Sequence, residues 1–448
     1  MKKIIIALTI VLLAIGALPF VGNKLAEDMI KQRVALLESY GVKAIVSTSD
    51  SSYLETQKHF EFLIEDEEKF MLYLEQFSSK QLPPYTEALL KGVVVGVDAH
   101  YSNLPLSDGV SVDIYPLSLS TNMMQEIKEE DAKFSAYLQK FLESKGALYH
   151  INYNVVLESF DGYLKDIQEQ YLFDDKTEMK LTLVNATYKG KGPVIAPKSL
   201  VSKIEKIELK ILQGSEVLLF ELDGFSSDAS FETQSNYRSR AKLKNFTLKI
   251  ENLGKDVVAE ATNLTMSLSS NTEGKYAKIV AHNTVENFRL LSENLDLNTT
   301  EFNYDVTLSS LDKDTLQELM QLPEDEALEQ LLMKLLSKGL TLDVSDFSLG
   351  NISLKSSPNL GGFALNSKLI FKPDANFAQK FNGNAMKLLS SLDSTINFKL
   401  SKKIFTLIRE VIPMAFMVKA YAKESGESLL FNITLLNGEL LVNGKALK

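Results

Sequence analysis

The chain has 448 residues, of which 45% are hydrophobic and 24% are charged, and these proportions are typical of a folded protein. Its formal net charge of −10 supplies no overall basic field for nucleic acid or anionic lipid headgroups, and no run of more than two Lys or Arg residues occurs. The absence of cysteine excludes disulfides, thiolate catalysis, zinc sites built on sulfur and lipoprotein acylation.

The first stretch of the chain predicts a membrane anchor. Residues 4–22 carry no charge and follow directly after Lys2 and Lys3. As a helix they would rise about 28 Å, close to the thickness of a bilayer's hydrocarbon core. The lysines favour a cytoplasmic N-terminus. We therefore expect a single-pass anchor at residues 1–22 and a helical stalk at residues 23–43, with the body in the periplasm. A cleaved signal peptide, cut after small residues near Gly16, is the alternative.

The body is predicted to be α+β, with a largely antiparallel β-sheet in an extended meander and a few amphipathic covering helices. Residues 44–200 form the predicted N-terminal α+β lobe. In this lobe Val93, Val95 and Val97 alternate with other residues, as in a strand with one buried face. The apolar residues from Phe134 to Leu142 recur at helical spacing, and Gly146 follows them as a stop signal.

Residues 201–448 form the predicted β-rich lobe, because period-2 alternation recurs along most of their length. Two apolar stripes at helical spacing interrupt it and predict helices near residues 324–338 and 403–422. Near the end, Asn437-Gly438 stands between two alternating runs, which predicts a tight hairpin turn with Gly438 in a left-handed conformation.

Two stretches resemble one bacterial family. The first is residues 18–22, Leu-Pro-Phe-Val-Gly, which run into a charged helical segment. The second is residues 437–447, which resemble the Asn-Gly-x-x-x-Val-Asn-Gly-x-x-Leu ending of YdgA-like proteins. The order of predicted elements from Phe302 onward is also similar. The resemblance implies a protein that is singly anchored in the bacterial inner membrane, faces the periplasm and has no assigned enzymatic activity.

The N-terminal half departs from the pattern of that family. The chain has no tryptophan, whereas many relatives carry a Gly-Trp-Phe-Ser stretch. It also lacks a His-Gly-Pro near the first strands, since His100 is followed by Tyr101-Ser102. The resemblance therefore covers the last third of the chain and, more loosely, the first forty residues.

Residues that could carry chemistry show no motif. The four histidines are scattered without the spacing of metal ligands or of a catalytic triad: His59, His100, His150 and His282. The acidic runs at 65–68, 129–131 and 324–326 lie at predicted helix starts, where carboxylates complement the helix dipole. No phosphate loop, dinucleotide fingerprint or serine elbow is present. We therefore expect no catalytic, cofactor-binding or metal-binding residues. Asn298 lies in an acidic-x-Asn-x-Thr acceptor pattern for bacterial glycosylation.

Three classes of function remain open. The first is a membrane-tethered envelope protein that binds or scaffolds a partner without chemistry of its own. The second is a lipid-handling protein with an apolar groove along its sheet, and the third is an enzyme with a dispersed acidic site. The state of the apolar sheet face distinguishes the first two, because a closed face favours scaffolding and an incompletely covered face favours lipid.

Overall fold

A computed structural model describes most of the chain after residue 33. The described residues are 34–51, 55–75, 83, 85–102, 109–194, 196–233, 235–252, 256–320, 328–355, 357, 359–377, 391–412, 418–436 and 438–446. The predicted anchor and the first half of the predicted stalk lie outside them. The second half of the stalk includes a helical segment, α1, at residues 34–39. Within the part of the chain that the structure describes, no helix is long and apolar enough to cross a bilayer.

The chain divides into two compact units. Unit 1 runs to Gly214 and includes Gly224–Ser230, and unit 2 contains Ser215–Asp223 and everything from Phe231 onward. The predicted boundary between the two lobes, at residues 200 and 201, falls inside a single strand, Ser199–Gln213.

Unit 1 is built on antiparallel strands that follow one another in a meander. The first six strands pair in chain order, and β6 then pairs with β9. Strand β10 pairs with β9 along its first part and with β8 along its second, and β8 also pairs with β7. The strands are β1 (Val42–Ser51), β2 (Glu55–Ile64), β3 (Val94–Ser102), β4 (Gly109–Ser118), β5 (Tyr149–Asn154), β6 (Ser159–Leu164), β7 (Ile167–Asp174), β8 (Thr177–Val184), β9 (Ala186–Lys191) and β10 (Ser199–Gln213).

Helices cover the apolar side of this unit. Their bounds are α2 (Glu67–Glu75), α3 (Tyr85–Leu90), α4 (Thr121–Glu130) and α5 (Ala132–Glu143). The predicted apolar stripe buries Phe134, Leu138 and Leu142 on α5. Asp131 caps α5, since its side chain accepts hydrogen bonds from the backbone N–H groups of Lys133 and Phe134, both at 2.9 Å. The dipole explanation of the 129–131 acidic run is thus confirmed for Asp131, but it is wrong for Glu129 and Glu130, which lie in the last turn of α4.

Unit 2 contains the longest strands, which also pair in a meander. Strand β11 (Glu216–Phe231) contributes residues to both units. The pairing continues from β12 through β16, β18 and β19 to β21, with β17 extending β16 along the same edge of β15. The bounds are β12 (Tyr237–Glu251), β13 (Val257–Glu273), β14 (Tyr276–Ser292), β15 (Leu295–Asp312), β16 (Leu340–Leu349), β17 (Asn351–Leu354), β18 (Phe363–Phe371), β19 (Leu392–Ser401), β20 (Lys423–Ser425), β21 (Ser428–Leu436), β22 (Glu439–Val442) and β23 (Lys445–Ala446).

The helices of unit 2 lie at two places along its sheet. Helices α6 (Lys313–Met320) and α7 (Leu328–Ser337) follow β15, and α8 (Lys402–Val411) follows β19. The stripes near 324–338 and 403–422 thus predicted helices that are present, although residues 321–327 and 413–417 lie outside the described residues. Gly438 has a φ of 84°, which confirms the predicted left-handed turn between β21 and β22.

The α+β class and the antiparallel meander are therefore confirmed for the described residues. Helices α3, α4 and α6 were not predicted from the sequence. Helix α4 buries only Met123 and Ile127, and this is too short a stripe for the periodicity to stand out.

Candidate functional site

One face of the sheet in unit 2 is lined by apolar side chains from β12 to β15. Residues directly opposite each other in antiparallel strands place their side chains on the same face. One such row joins Leu248, Ala259, Leu290 and Leu297 across the four strands. Further rows contribute aliphatic and aromatic residues from the same strands: Leu243, Phe246, Leu264, Met266, Leu268, Ala281, Phe288, Tyr304 and Val306. We call this set, with Leu248, Ala259, Leu290 and Leu297, the apolar face.

In β13 and β15, single left-handed residues shift the alternation and keep the apolar side chains on one side. In β13 the apolar positions are 259 and 261, and then 264, 266 and 268, so the phase changes at Asn263. Asn263 has a φ of 49°, and Glu301 in β15 has a φ of 55°. Asn185 between β8 and β9 and Gly224 in β11 are also left-handed, and the four residues follow one another at nearly equal intervals along the chain. Such a residue acts like a bulge, which re-aims the side chains that follow it.

In the part of the chain that the structure describes, helices cover two ends of this sheet. Under α6 and α7, Leu311 and Leu335 are buried together with Leu340. Under α8, Phe405 is buried against Leu429, with Leu400, Phe431 and Val442 in the same cluster. The intervening part, from β12 to the middle of β15, is lined by half-buried or exposed side chains, with Ala261, Ser270, Thr299 and Val306 as the buried exceptions.

The exposure of individual side chains shows how open the apolar face is. Met266 is 58% exposed, Leu268 38% and Tyr304 36%. By contrast, Leu311 beneath the helices is 2% exposed. The other members of the apolar face are half-buried, except for the buried Val306, so these three side chains form the part of the face that is open to an occupant. Strands β13 and β14 are paired along both edges, so an occupant would contact their side chains and would not add a strand to their backbone.

A second site candidate lies on the polar face of unit 1. Cross-strand pairing places His59 of β2 opposite Asp98 of β3, Asp98 opposite Asp113 of β4, and Asp113 opposite His150 of β5. These four residues form what we call the polar row. His59 and Asp98 are joined by a contact of 2.6 Å between Nδ1 and Oδ1, and His150 and Asp113 by a contact of the same length. Three of the four histidines lie on this face, since His100 belongs to the neighbouring row, with its Nε2 3.2 Å from Oε2 of Glu55.

The carboxylate of Asp98 is the most heavily bonded group of the polar row. Lys145 forms an ion pair with it, and the hydroxyl of Tyr115 donates a hydrogen bond of 3.0 Å to Oδ2. Burial opposes ionisation of Asp98, but the hydrogen bonds from Lys145, His59 and Tyr115 together outweigh it and lower the pKa of the carboxyl. Burial, and then the charge of Asp98, raises the pKa of Tyr115.

A cavity of about 360 Å³ opens on the polar row and includes Asp50, His100 and Ser111 in its wall. The structure therefore brings together histidines that are scattered in the sequence, and the cross-strand register was the missing information. No group of three or more His, Asp or Glu residues in the described part of the chain is arranged to hold a metal ion. Each histidine of the polar row has an acid as its partner, and this matches the interpretation of the histidines as satisfied surface residues.

The remaining sequence candidates lie in unit 2. His282 of β14 is opposite Asp305 of β15, and the two side chains form an ion pair through Nδ1 and Oδ1. Asn298 is exposed on β15 and is paired with Arg289 on one side and Ser353 on the other. Its glycosylation stays a prediction. The acidic run at 324–326 lies outside the described residues.

Comparison of the chain with protein-family models, with curated proteins and with solved structures finds no match. The resemblance to YdgA-like proteins and the location that it implies stay predictions that rest on the residues quoted for them.

Proposed function

We propose that this protein is a binding protein of the bacterial cell envelope, without catalytic activity, and that the apolar face holds lipid acyl chains. The observation that carries the proposal is the open state of that face between the helices at its two ends. Met266 is 58% exposed and Leu268 38%. Contact of these side chains with hydrocarbon would contribute to the free energy of binding, since each buried CH₂ group contributes about 0.8 kcal/mol.

The composition of the apolar face favours acyl chains over a protein partner. Protein–protein hot spots are enriched in Trp, Tyr and Arg, whereas Leu is the commonest residue of this face, which has no Trp or Arg and one Tyr. Methionine adapts to ligands of different shape, which suits a face that accepts chains of various lengths. An acyl chain spans ~15 Å of one bilayer leaflet. Strands of 15 to 18 residues extend about 50–60 Å, so the apolar face is long enough to hold such a chain.

The sequence supplies a second argument for a lipid ligand. The uncharged stretch at residues 4–22 predicts that the protein is tethered to the inner membrane. A tethered binding protein is held at high local concentration beside bilayer lipids, so even modest affinity for acyl chains would keep the face occupied.

Photo-crosslinking tests the proposal directly. The full-length protein is incubated with a palmitic acid that carries a diazirine on its chain, illuminated and mapped by peptide mass spectrometry. We expect adducts on β12 to β15 at residues of the apolar face. Adducts at residues 4–22 are recorded separately, because a membrane segment would capture the probe whatever unit 2 does.

A variant sharpens the result. Met266→Glu with Leu268→Glu places two charges on half-exposed positions, and the adducts on β12 to β15 should fall at least tenfold while those at residues 4–22 persist. The control, Asn271→Glu with Asn287→Glu, adds the same two charges at exposed positions on the opposite face of β13 and β14 and should leave the adducts unchanged. Adducts confined to residues 4–22 in the wild-type protein would overturn the lipid proposal and leave scaffolding of a partner protein as the remaining binding function.

A further inference from the structure

Four basic residues line one exposed face of β12. Arg238, Arg240, Lys242 and Lys244 alternate with Ser239, Ala241 and Leu243, and all four side chains are exposed. Alternate residues of a strand lie roughly 6.6 Å apart, so the four charges extend over about 20 Å. We call this set the basic stripe. The basic stripe does not form a basic run in the sequence, because no two of its members are adjacent in the chain.

The basic stripe is not neutralised by ion pairs within the described part of the chain. None of its four side chains forms an ion pair or a hydrogen bond with another described residue, whereas Lys249 further along the same strand pairs with Glu251 at 2.7 Å. An uncompensated row of cations in a protein with a net charge of −10 is a local feature that the overall charge conceals.

The neighbouring strands present hydroxyl groups beside the stripe. Opposite Arg238, Arg240 and Lys242 lie three hydroxyl residues of β13: Ser269, Ser267 and Thr265. The next strand places Val280, His282 and Thr284 in the same rows. The first acid reached in these rows is Asp305 of β15, and it is already paired with His282. Hydroxyl donors beside unpaired cations form a surface that suits phosphate oxygens.

We infer that the basic stripe docks unit 2 against a bilayer surface that contains anionic phospholipid headgroups. Each Lys or Arg near such a surface contributes about 1 kcal/mol of attraction, so four of them give stable but reversible contact. The stripe lies on the face opposite to the apolar face, so occupancy of one does not block the other.

Nucleic acid fits this surface less well. Single-stranded nucleic acids bind through basic grooves combined with aromatic side chains on which the bases stack. The rows that contain Arg238, Arg240 and Lys242 carry no aromatic side chain from β12 to β14 apart from the paired imidazole of His282. A bilayer requires only the local charges, and the predicted anchor at residues 4–22 would already hold the protein at one.

Vesicle partitioning of the full-length protein tests the inference. Partitioning is measured into vesicles of phosphatidylcholine alone and of phosphatidylcholine with 30% phosphatidylglycerol. The apolar segment at residues 4–22 contributes equally to both, and Lys2 and Lys3 are present in every variant, so differences between variants report the basic stripe. We expect tighter partitioning into the anionic vesicles and a loss of that difference as salt shortens the Debye length. We call the ratio of the partition coefficients for anionic and neutral vesicles the anionic increment. The double variant Arg240→Gln with Lys242→Gln should reduce this increment about 30-fold.

Two control variants separate the stripe from net charge and from folding. Lys189→Gln with Lys203→Gln removes the same charge from exposed positions in unit 1 and should leave the increment within twofold. Arg240→Lys with Lys242→Arg keeps the charges and should retain it. Equal partitioning of the wild-type protein into both vesicle types overturns the inference, as does an unchanged increment in the Gln double variant. Tighter binding of a 30-nucleotide single strand than of the anionic vesicles would also overturn it, in favour of nucleic acid.

Discussion

Asn443 is the residue whose structural role is clearest from its hydrogen bonds. Its Oδ1 accepts a bond of 2.9 Å from the backbone N–H of Asn432, and its Nδ2 donates bonds to the carbonyls of Tyr421 at 2.7 Å and Leu430 at 2.9 Å. It has a φ of 49°, a conformation that Asn tolerates better than most residues. Asn443 thus joins the end of the chain to β21, and this explains why Asn is needed at that position of the C-terminal ending.

We expect Asn443→Ala to lower the free energy of unfolding by about 2–3 kcal/mol, because two partly buried carbonyls and one exposed backbone N–H lose a partner. Urea denaturation measures the change. The control is Asn366→Ala, which removes one exposed side-chain bond of 2.8 Å from Asn397 and should cost under about 1 kcal/mol. Equal losses in the two variants would contradict the role assigned to Asn443.

Asp312 links the helical cover of unit 2 to its sheet. It ends β15, and its Oδ1 accepts bonds from the backbone N–H of Thr315 at 3.0 Å and from Lys338 at 2.6 Å. Burial opposes ionisation, but the bonds from Lys338 and Thr315 outweigh it and lower the pKa of Asp312 to about 2 from the usual 3.8. Because the folded pKa lies below the unfolded one, this carboxylate stabilises the fold above about pH 4, and the contribution is lost as the pH falls toward 2.

The expected result is a pH-dependent difference between the wild-type protein and Asp312→Asn. The wild type should be the more stable at neutral pH, and the two should converge between about pH 4 and pH 2. Urea denaturation at a series of pH values measures this difference. Asp314→Asn, an exposed acid of α6, serves as the control and should differ little from the wild type at any pH. A difference that stays constant down to pH 2 would show that the carboxylate's charge is not what stabilises this helix start.

At the scale of elements, the left-handed residues determine which side chains share a face. Glu301 is the least suited of the four, because a non-glycine residue with positive φ is strained and Glu lacks the tolerance of Asn. At an ordinary strand position Val is preferred over Gly. At position 301 this order should be reversed.

We therefore expect Glu301→Gly to match or exceed the wild-type stability and Glu301→Val to lose about 1–2 kcal/mol. The same two substitutions at Thr307, a regular position on the same strand, should rank in the opposite order. Thermal and urea unfolding of the four variants provide the comparison. If the Val variant is more stable than the Gly variant at both positions, residue 301 does not have the left-handed conformation assigned to it.

These left-handed residues also explain what the sequence could and could not predict. Alternation correctly indicated that residues 201–448 are rich in strands, but it did not indicate that β12, β13 and β15 each continue for 15 to 18 residues. The alternation changes phase at Asn263 and Glu301, so β13 and β15 each look like two shorter strands in the sequence. The four left-handed positions hold Asn, Gly and Glu, which share no sequence signature. Similarly, Asp98 and His150 are distant in sequence, and only cross-strand register places them in one row.

At the scale of the whole molecule, the decisive feature is the part of the apolar face that the helices leave open. The sequence indicates amphipathic strands and few helices, but it does not indicate which strands the helices cover. The structure places α6, α7 and α8 over the ends, and Met266 and Leu268 remain exposed between them. The basic stripe lies on the other face of the same strands, so one sheet presents two chemically different surfaces.

The most direct measurement uses the absence of cysteine in the chain. Leu268→Cys introduces a unique thiol on the apolar face for an environment-sensitive fluorophore, and Asn287→Cys introduces one on the exposed polar face of the neighbouring strand. Each labelled full-length protein is titrated with palmitate. We predict a saturable blue shift of the emission at position 268 and none at position 287. An unchanged emission at position 268, or the same shift at both positions, would contradict acyl-chain binding at the apolar face.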